Sequence, residues 1–222
     1  MADPSARCYR RILIAVLALV MVATMVSRLL LGVVIHDQAE LVVFSQTWRW
    51  TYDEQMPVLA WLVTLALNLS HYFILIPDLV KYAGLATAVI AIFHLTARMT
   101  KSHRSALIAA LGVFLVPTMN EDMLREYTHT AALIGFSAAS FALLLSDPRQ
   151  DGLPRRPWLL ALLWAGGMLA KYTMLLVIAG QVTAFLLLYR PARPVVMRLV
   201  TTLALAFAMA APVYALMLVH AA

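Results

Sequence analysis

The chain has 222 residues, of which 63% are hydrophobic and only 13% charged, with a formal net charge of +6. Soluble domains carry about 45–50% apolar and about 25% charged residues, so this composition excludes a water-soluble globular protein and makes lipid the solvent for most of the chain. The alternating pattern of a membrane barrel is absent, which leaves helices as the spanning element, and the basic residues fall at helix ends as topology requires, so nucleic acid is not a partner.

From the N-terminus, Arg7, Arg10 and Arg11 precede an apolar run over 12–35 with no small-residue cleavage signal. That run reads as an uncleaved first span. Cys8 is the single cysteine, so no disulfide forms within the chain. The stretch "HDQAELVVFSQTWRWTYDEQMPVLAWL", 36–62, then gathers Asp37, Glu40, Asp53 and Glu54 beside the span. Residues 57–71 are apolar but too short to cross, and predict an interfacial helix in this first outer loop. Further spans are predicted over 79–97, 105–118, 128–145, 158–170, 174–189 and 197–219, about seven in all. The sequence "AKYT", 170–173, separates two of them as helices joined by a tight outer turn. Residues 1–222 thus form a single transmembrane domain, an all-α polytopic bundle.

Orientation follows from the basic residues. With the N-terminus cytoplasmic, Arg7, Arg10, Arg11, Arg98, Lys101, Arg104, Arg149, Arg155, Arg156, Arg190, Arg193 and Arg198 lie inside, twelve of the 17. Asp37, Glu40, Asp53, Glu54, Asp78, Glu121, Asp122 and Glu126 lie outside, eight of the 11 acids. Acids follow the orientation rule weakly, so topology does not account for their gathering on one face.

Three outer segments carry the unusual chemistry: the opening loop, "PTMNEDMLREYTHT" at 117–130, and "LAKYT" at 169–173, where Lys171 interrupts an apolar run. Ionisable groups beside spans are costly and mark functional sites by default. Carboxylates on two loops can supply a general base and bind a metal or sugar hydroxyls. Lys171, Arg125 and Arg28 can hold an anion such as a phosphate. Trp48, Trp50, Tyr52 and Trp61 offer flat faces to a sugar, or simply form the aromatic belt of the interface. Asp53 and Glu54 read equally as solvated loop charges. His36, His71 and His129 show no metal-binding spacing such as H-E-x-x-H. A lysine can also snorkel to the interface, the plainer reading of Lys171.

These segments resemble the bacterial family 39 glycosyltransferases, related to protein O-mannosyltransferases and lipid A sugar transferases. "DQAE", "WRWTYDEQMP" and "VLAWL" are similar to that family's first outer loop, "LREYTHTAALI" to its second, and "MLAKYTMLL" to its L-x-K-Y-T signature, in the same order. The resemblance implies the type-C membrane glycosyltransferase fold, a polyprenyl-phosphate sugar donor, and an acceptor glycan, lipid or protein met on the periplasmic side of the bacterial inner membrane. It places Asp37 as the first-loop catalytic carboxylate, Glu126 as the second-loop acid, and Lys171 on the carrier phosphate, where the anion-binding candidate Arg125 would join it. Glu40, Trp50, Tyr52, Asp53, Glu54 and Tyr172 would shape the sugar and acceptor pocket. A divalent metal ion is expected as a cofactor candidate, with Glu40, Asp122 and His129 as candidate ligands. There are departures: Glu126 stands where the family has Asp, Gln38 replaces the second acid of D-E, and Met56 replaces one proline. Family members are also usually much longer than 222 residues, so a second polypeptide supplying the missing half is a further expectation. The competing readings are a non-catalytic membrane protein, such as a transporter half or assembly subunit, and an inactive remnant of the enzyme.

Overall fold

A computed structural model of the chain describes residues 4–32, 36–52, 55–69, 75–116, 128–145 and 156–221. Its elements are α1 (Pro4–Leu31), α2 (His36–Ser45), α3 (Val58–Leu69), α4 (Ile76–Thr100), α5 (His103–Gly112) with a 3-10 turn at Val113–Leu115, α6 (Thr128–Leu144), α7 (Pro157–Ala170), α8 (Met174–Tyr189) and α9 (Arg193–Ala221). Among the described residues no strand forms beyond an isolated bridge between Tyr52 and Gln55. The protein is an all-helical bundle. Among the described residues a helix occupies most of each predicted span, the 105–118 span being α-helical to Gly112 and 3-10 to Leu115. Three helices, within α1, α4 and α9, are long and apolar enough to cross a membrane, and α3 and α5 to α8 are shorter apolar helices. The segment expected as an interfacial helix is α3, whose Leu59, Ala60 and Val63 are buried.

Local chemistry sets the helix ends. Gly32 stops α1 at φ +62°, a left-handed conformation that costs glycine little. Proline lies in the first turns of α4 and α7, where its missing N–H is no loss. The α4–α5 turn passes through Lys101 at φ 53°, and the Ser102 hydroxyl then caps α5 by accepting from the Ser105 N–H at 3.2 Å.

Two features depart from the sequence reading. Residues 36–45 form a helix, α2, within what reads as an outer loop. The second predicted span, 79–97, begins earlier, at Ile76, which draws Asp78 out of the outer loop and into the first turn of α4. Asp78 is completely buried, because cations on α1 and α4 meet it there.

Packing is closest between α4 and α6. A Cβ on Gly135 would stand 2.6 Å from the Gly84 carbonyl oxygen, and one on Gly84 2.9 Å from that of Ala131. Small residues let membrane helices approach to backbone contact, where dispersion replaces the absent hydrophobic drive. One core cluster joins Leu160, Trp164 and Met168 of α7 to Ile178 and Phe185 of α8 and Leu199 of α9. Another joins Leu13 of α1 to Phe93 of α4 and Ala106 of α5. Between them, Leu41, Leu59, Ala132 and Ala170 form a small cluster on which the candidate site rests. Large apolar side chains such as Leu19, Leu30 and Leu187 stay on the outside, as lipid-facing positions require.

Candidate functional site

Helix α2 has two working stripes. Gln38, Leu41 and Ser45 are buried, a spacing that keeps one helix face against its neighbours. Asp37 and Glu40, three residues apart, share an adjacent face and remain partly open. Short α2 docks on α3 and α4, so its position fixes both carboxylates.

Lys171 arrives from the other end of the chain. Helix α7 ends at Ala170, and Lys171 turns extended at φ −161° and ψ 132° while its N–H still bonds the Gly167 carbonyl at 2.9 Å. Helix α8 resumes at Met174, whose N–H bonds the Lys171 carbonyl at 3.0 Å. The break frees the Lys171 ammonium to donate to the Thr130 hydroxyl, at 3.0 Å, in the first turn of α6. His129 is half-buried beside the Ala170 carbonyl, in electrostatic range of both Asp37 and Lys171.

These groups surround one cavity of about 320 Å³. Asp37 and Glu40 line it from α2, Gln55 and Met56 from the following segment, His129 and Thr130 from α6, and Ala170, Lys171 and Tyr172 from the α7–α8 break. Its volume is within the range of small-molecule sites. A cavity holding carboxylates, an ammonium and an imidazole can bind a phosphate, orient hydroxyls and exchange a proton. A second, apolar cavity of about 450 Å³ lies between α3, α4, α6 and α7, lined by residues such as Leu59, Leu62, Gly84, Phe136 and Leu163. Leu59 and Ala132, which line it, also belong to the small cluster with Leu41 and Ala170.

Of the residues singled out by sequence, Asp37, Glu40, His129, Lys171 and Tyr172 come together here. Trp50 and Tyr52 are not in the lining. The Tyr52 hydroxyl donates to the Thr47 carbonyl at 2.7 Å and accepts from the Arg49 N–H at 3.1 Å. Trp50 meets Trp61 edge-on at 5.8 Å, and Trp48 stacks on Trp61 at 5.6 Å. Arg28, an anion-binding candidate, pairs with Asp78. Asp53, Glu54, Asp122, Arg125 and Glu126 lie outside the described residues. Among the described residues no three His, Cys, Asp or Glu side chains gather closely enough to hold a metal ion. Sequence reasoning missed Gln55, Met56 and Thr130. Thr130 had a signal, since it closes the "LREYTHT" stretch, whereas Gln55 and Met56 are ordinary residues brought in by the loop.

A helical membrane protein with a charged cavity where α6 begins and α7 ends, and an apolar cavity nearby, defines the class. Residues 53–216 match the dolichyl-phosphate-mannose-protein mannosyltransferase family, and the chain belongs to that family of membrane glycosyltransferases. It is also 28% identical over 152 residues to the lipopolysaccharide core galacturonosyltransferase RgtB of Rhizobium johnstonii, covering 68% of this chain and 30% of that protein. The chain therefore spans less than a third of the length of that relative. No solved structure matches it. The resemblance to family 39 glycosyltransferases is borne out by the family match.

Proposed function

We propose that the chain carries the catalytic face of a glycosyltransferase that moves a sugar from a polyprenyl-phosphate donor to an acceptor on the periplasmic side of the inner membrane. The observation that carries this reading is the convergence of Asp37, Glu40, His129 and Lys171 from distant segments on one cavity. Asp37 takes the proton of the acceptor hydroxyl as that oxygen attacks the anomeric carbon of the sugar. The bond from that carbon to the phosphate oxygen breaks, and polyprenyl phosphate departs with its charge held by Lys171, with Arg125 as its partner. Glu126 stands as the second acid, and Glu40 and Tyr172 shape the sugar pocket. The neighbouring apolar cavity offers the start of the lipid chain a place in oil while the headgroup stays wet. A divalent ion would need Asp122 beside Glu40 and His129, and its chemistry there would be to screen phosphate charge. The cytoplasmic N-terminus rests on the distribution of arginine and lysine, and a second polypeptide supplying what longer relatives carry belongs to the same proposal. A transporter half would place its buried charges at mid-depth along a path, whereas Arg28 lies in the last turn of α1 and Asp78 in the first turn of α4.

The test is sugar transfer in membranes containing the chain. Asp37→Asn keeps the shape and removes the charge, and should lower turnover by about 100-fold or more, the scale of lost acid–base help. Lys171→Ala should raise the donor KM without lowering protein abundance. Wild-type turnover by Asp37→Asn would overturn the role of that acid.

A further inference from the structure

Gln38 follows Asp37 directly, yet it lies on the neighbouring face of α2, turned into the protein, where it is 1% exposed. Its side-chain amide donates to Asp78 Oδ1 on α4. The same oxygen receives Lys81 Nζ at 3.0 Å, and Arg28 Nε of α1 lies 3.3 Å from Asp78 Oδ2. Asp78 and Lys81 are fully buried and Arg28 is 6% exposed. Two cations and one carboxylate, with one neutral donor, thus join α1, α2 and α4 directly behind the candidate catalytic acid. Asp37 is itself within electrostatic range of Lys81.

The other holds on α2 run mainly to the α3 side: Leu41 packs on Leu59, the Thr64 hydroxyl donates to the Ser45 carbonyl at 3.0 Å, and the Phe44 ring meets Tyr52, so the Gln38 contact is its polar tie to α4. Helix α2 is ten residues long, below the length at which an isolated helix is stable. Leu41 is its one fully buried apolar side chain, while Val43 is 60% exposed. We propose that the Gln38–Asp78 contact, braced by Lys81 and Arg28, is the positioning device for Asp37, and that residue 38 must be a neutral hydrogen-bond donor. A second carboxylate there would press oxygen against oxygen at Asp78. The amide donates instead, so α2 docks with its Asp37–Glu40 face turned to the cavity. Gln38 and Asp78 act through Asp37 and touch no substrate. The proposal rests on the transferase reading only for what Asp37 does.

The test uses two readouts on the full chain with Cys8→Ala. Ser45→Cys is close to isosteric, and the serine hydroxyl it replaces bonds only within α2, to the Val42 carbonyl. Because residue 45 is buried, a thiol reagent should modify this cysteine slowly while α2 is docked. Gln38→Glu should speed modification at least tenfold. Without the Ser45→Cys reporter, it should lower turnover by about 100-fold, the scale of an ångström of misplacement, with the donor KM near the parent value. The swap Gln38→Glu with Asp78→Asn restores one amide and one carboxylate, and should recover both readouts to within tenfold. Gln38→Met, neutral but unable to donate, should fall between parent and Gln38→Glu. Unchanged protection and turnover in Gln38→Glu overturn the proposal. So does a swap that stays monodisperse and helical yet recovers neither readout. If no preparation transfers sugar even with a polypeptide supplying what longer relatives carry, the transferase reading fails while the thiol protection still decides whether Gln38 anchors α2.

Discussion

Gln181 and Asp78 are both polar side chains buried in an apolar bundle, but they ask different things of their surroundings. Gln181 on α8 is neutral, and its amide is fully occupied. Its oxygen accepts from Trp164 Nε1 at 2.9 Å and from the Ser140 hydroxyl at 3.1 Å, and its nitrogen donates to the Ser137 carbonyl at 2.9 Å. It ties α6, α7 and α8 together away from the charged cavity. Asp78 carries charge and draws two cations into the bundle with it. A neutral knot made entirely of hydrogen bonds adds modest stability. A buried ionic knot often stabilises no more than well-packed apolar residues would, yet is costly to break from one side. The neutral knot is therefore sufficient where only packing matters. The ionic knot stands behind Asp37, where orientation of a reacting group is at stake.

Breaking each knot from one side should separate them most. Asp78→Leu removes the buried carboxylate that Arg28 and Lys81 share and should cost about 3–5 kcal/mol, read as a lowered melting temperature of the purified protein in detergent. Gln181→Leu removes the partner of Trp164 Nε1 and should cost about 1–3 kcal/mol in the same assay. A Gln181→Leu loss larger than that of Asp78→Leu would reverse the comparison. Tyr214→Phe deletes the hydrogen bond to the Met168 carbonyl, 3.1 Å long, in the core cluster that also holds Trp164. Its cost should be about 1 kcal/mol. Smallest of all should be the combined replacement Arg28→Met, Gln38→Met, Asp78→Leu and Lys81→Met. It removes these four side chains together, and its stability should stay within about 1 kcal/mol of the parent. A collapse of this variant would mean that the ionic knot stabilises the fold outright.

Much of the helical layout is legible in the chain itself. Long apolar runs predict α1, α4 and α9, because backbone groups in lipid must bond within their own helix. The break at Lys171 is legible too, since a lysine inside "GGMLAKYTMLL" is too costly to leave in an uninterrupted apolar helix. So is the grouping of Asp37, His129 and Lys171 as site candidates, which followed from charge beside spans. Helix α2 is not legible. "HDQAELVVFS" has neither the length of a span nor a strong apolar stripe, and its burial depends on Leu41 meeting Leu59 of α3.

Asp78 shows why the remainder needed the fold. In sequence it stands at the border of a loop and a span, where an acid is ordinarily solvated. Its partners are Arg28 on another helix, Lys81 three residues on, and Gln38, 40 residues away. Hydropathy is a property of each segment against lipid, so the sequence alone determined that this is a helical membrane protein with its acids at span ends. Which side chains share a cavity or a buried ion network depends on how helices approach and rotate. Here the backbone contact between Gly84 and Gly135 sets how closely α4 and α6 pack. Only the tertiary structure decided that Gln38 turns inward to Asp78 while Asp37, one residue earlier, turns toward the cavity that Lys171 also lines, because a helix sends neighbouring residues to different faces and the packing decides which face is which.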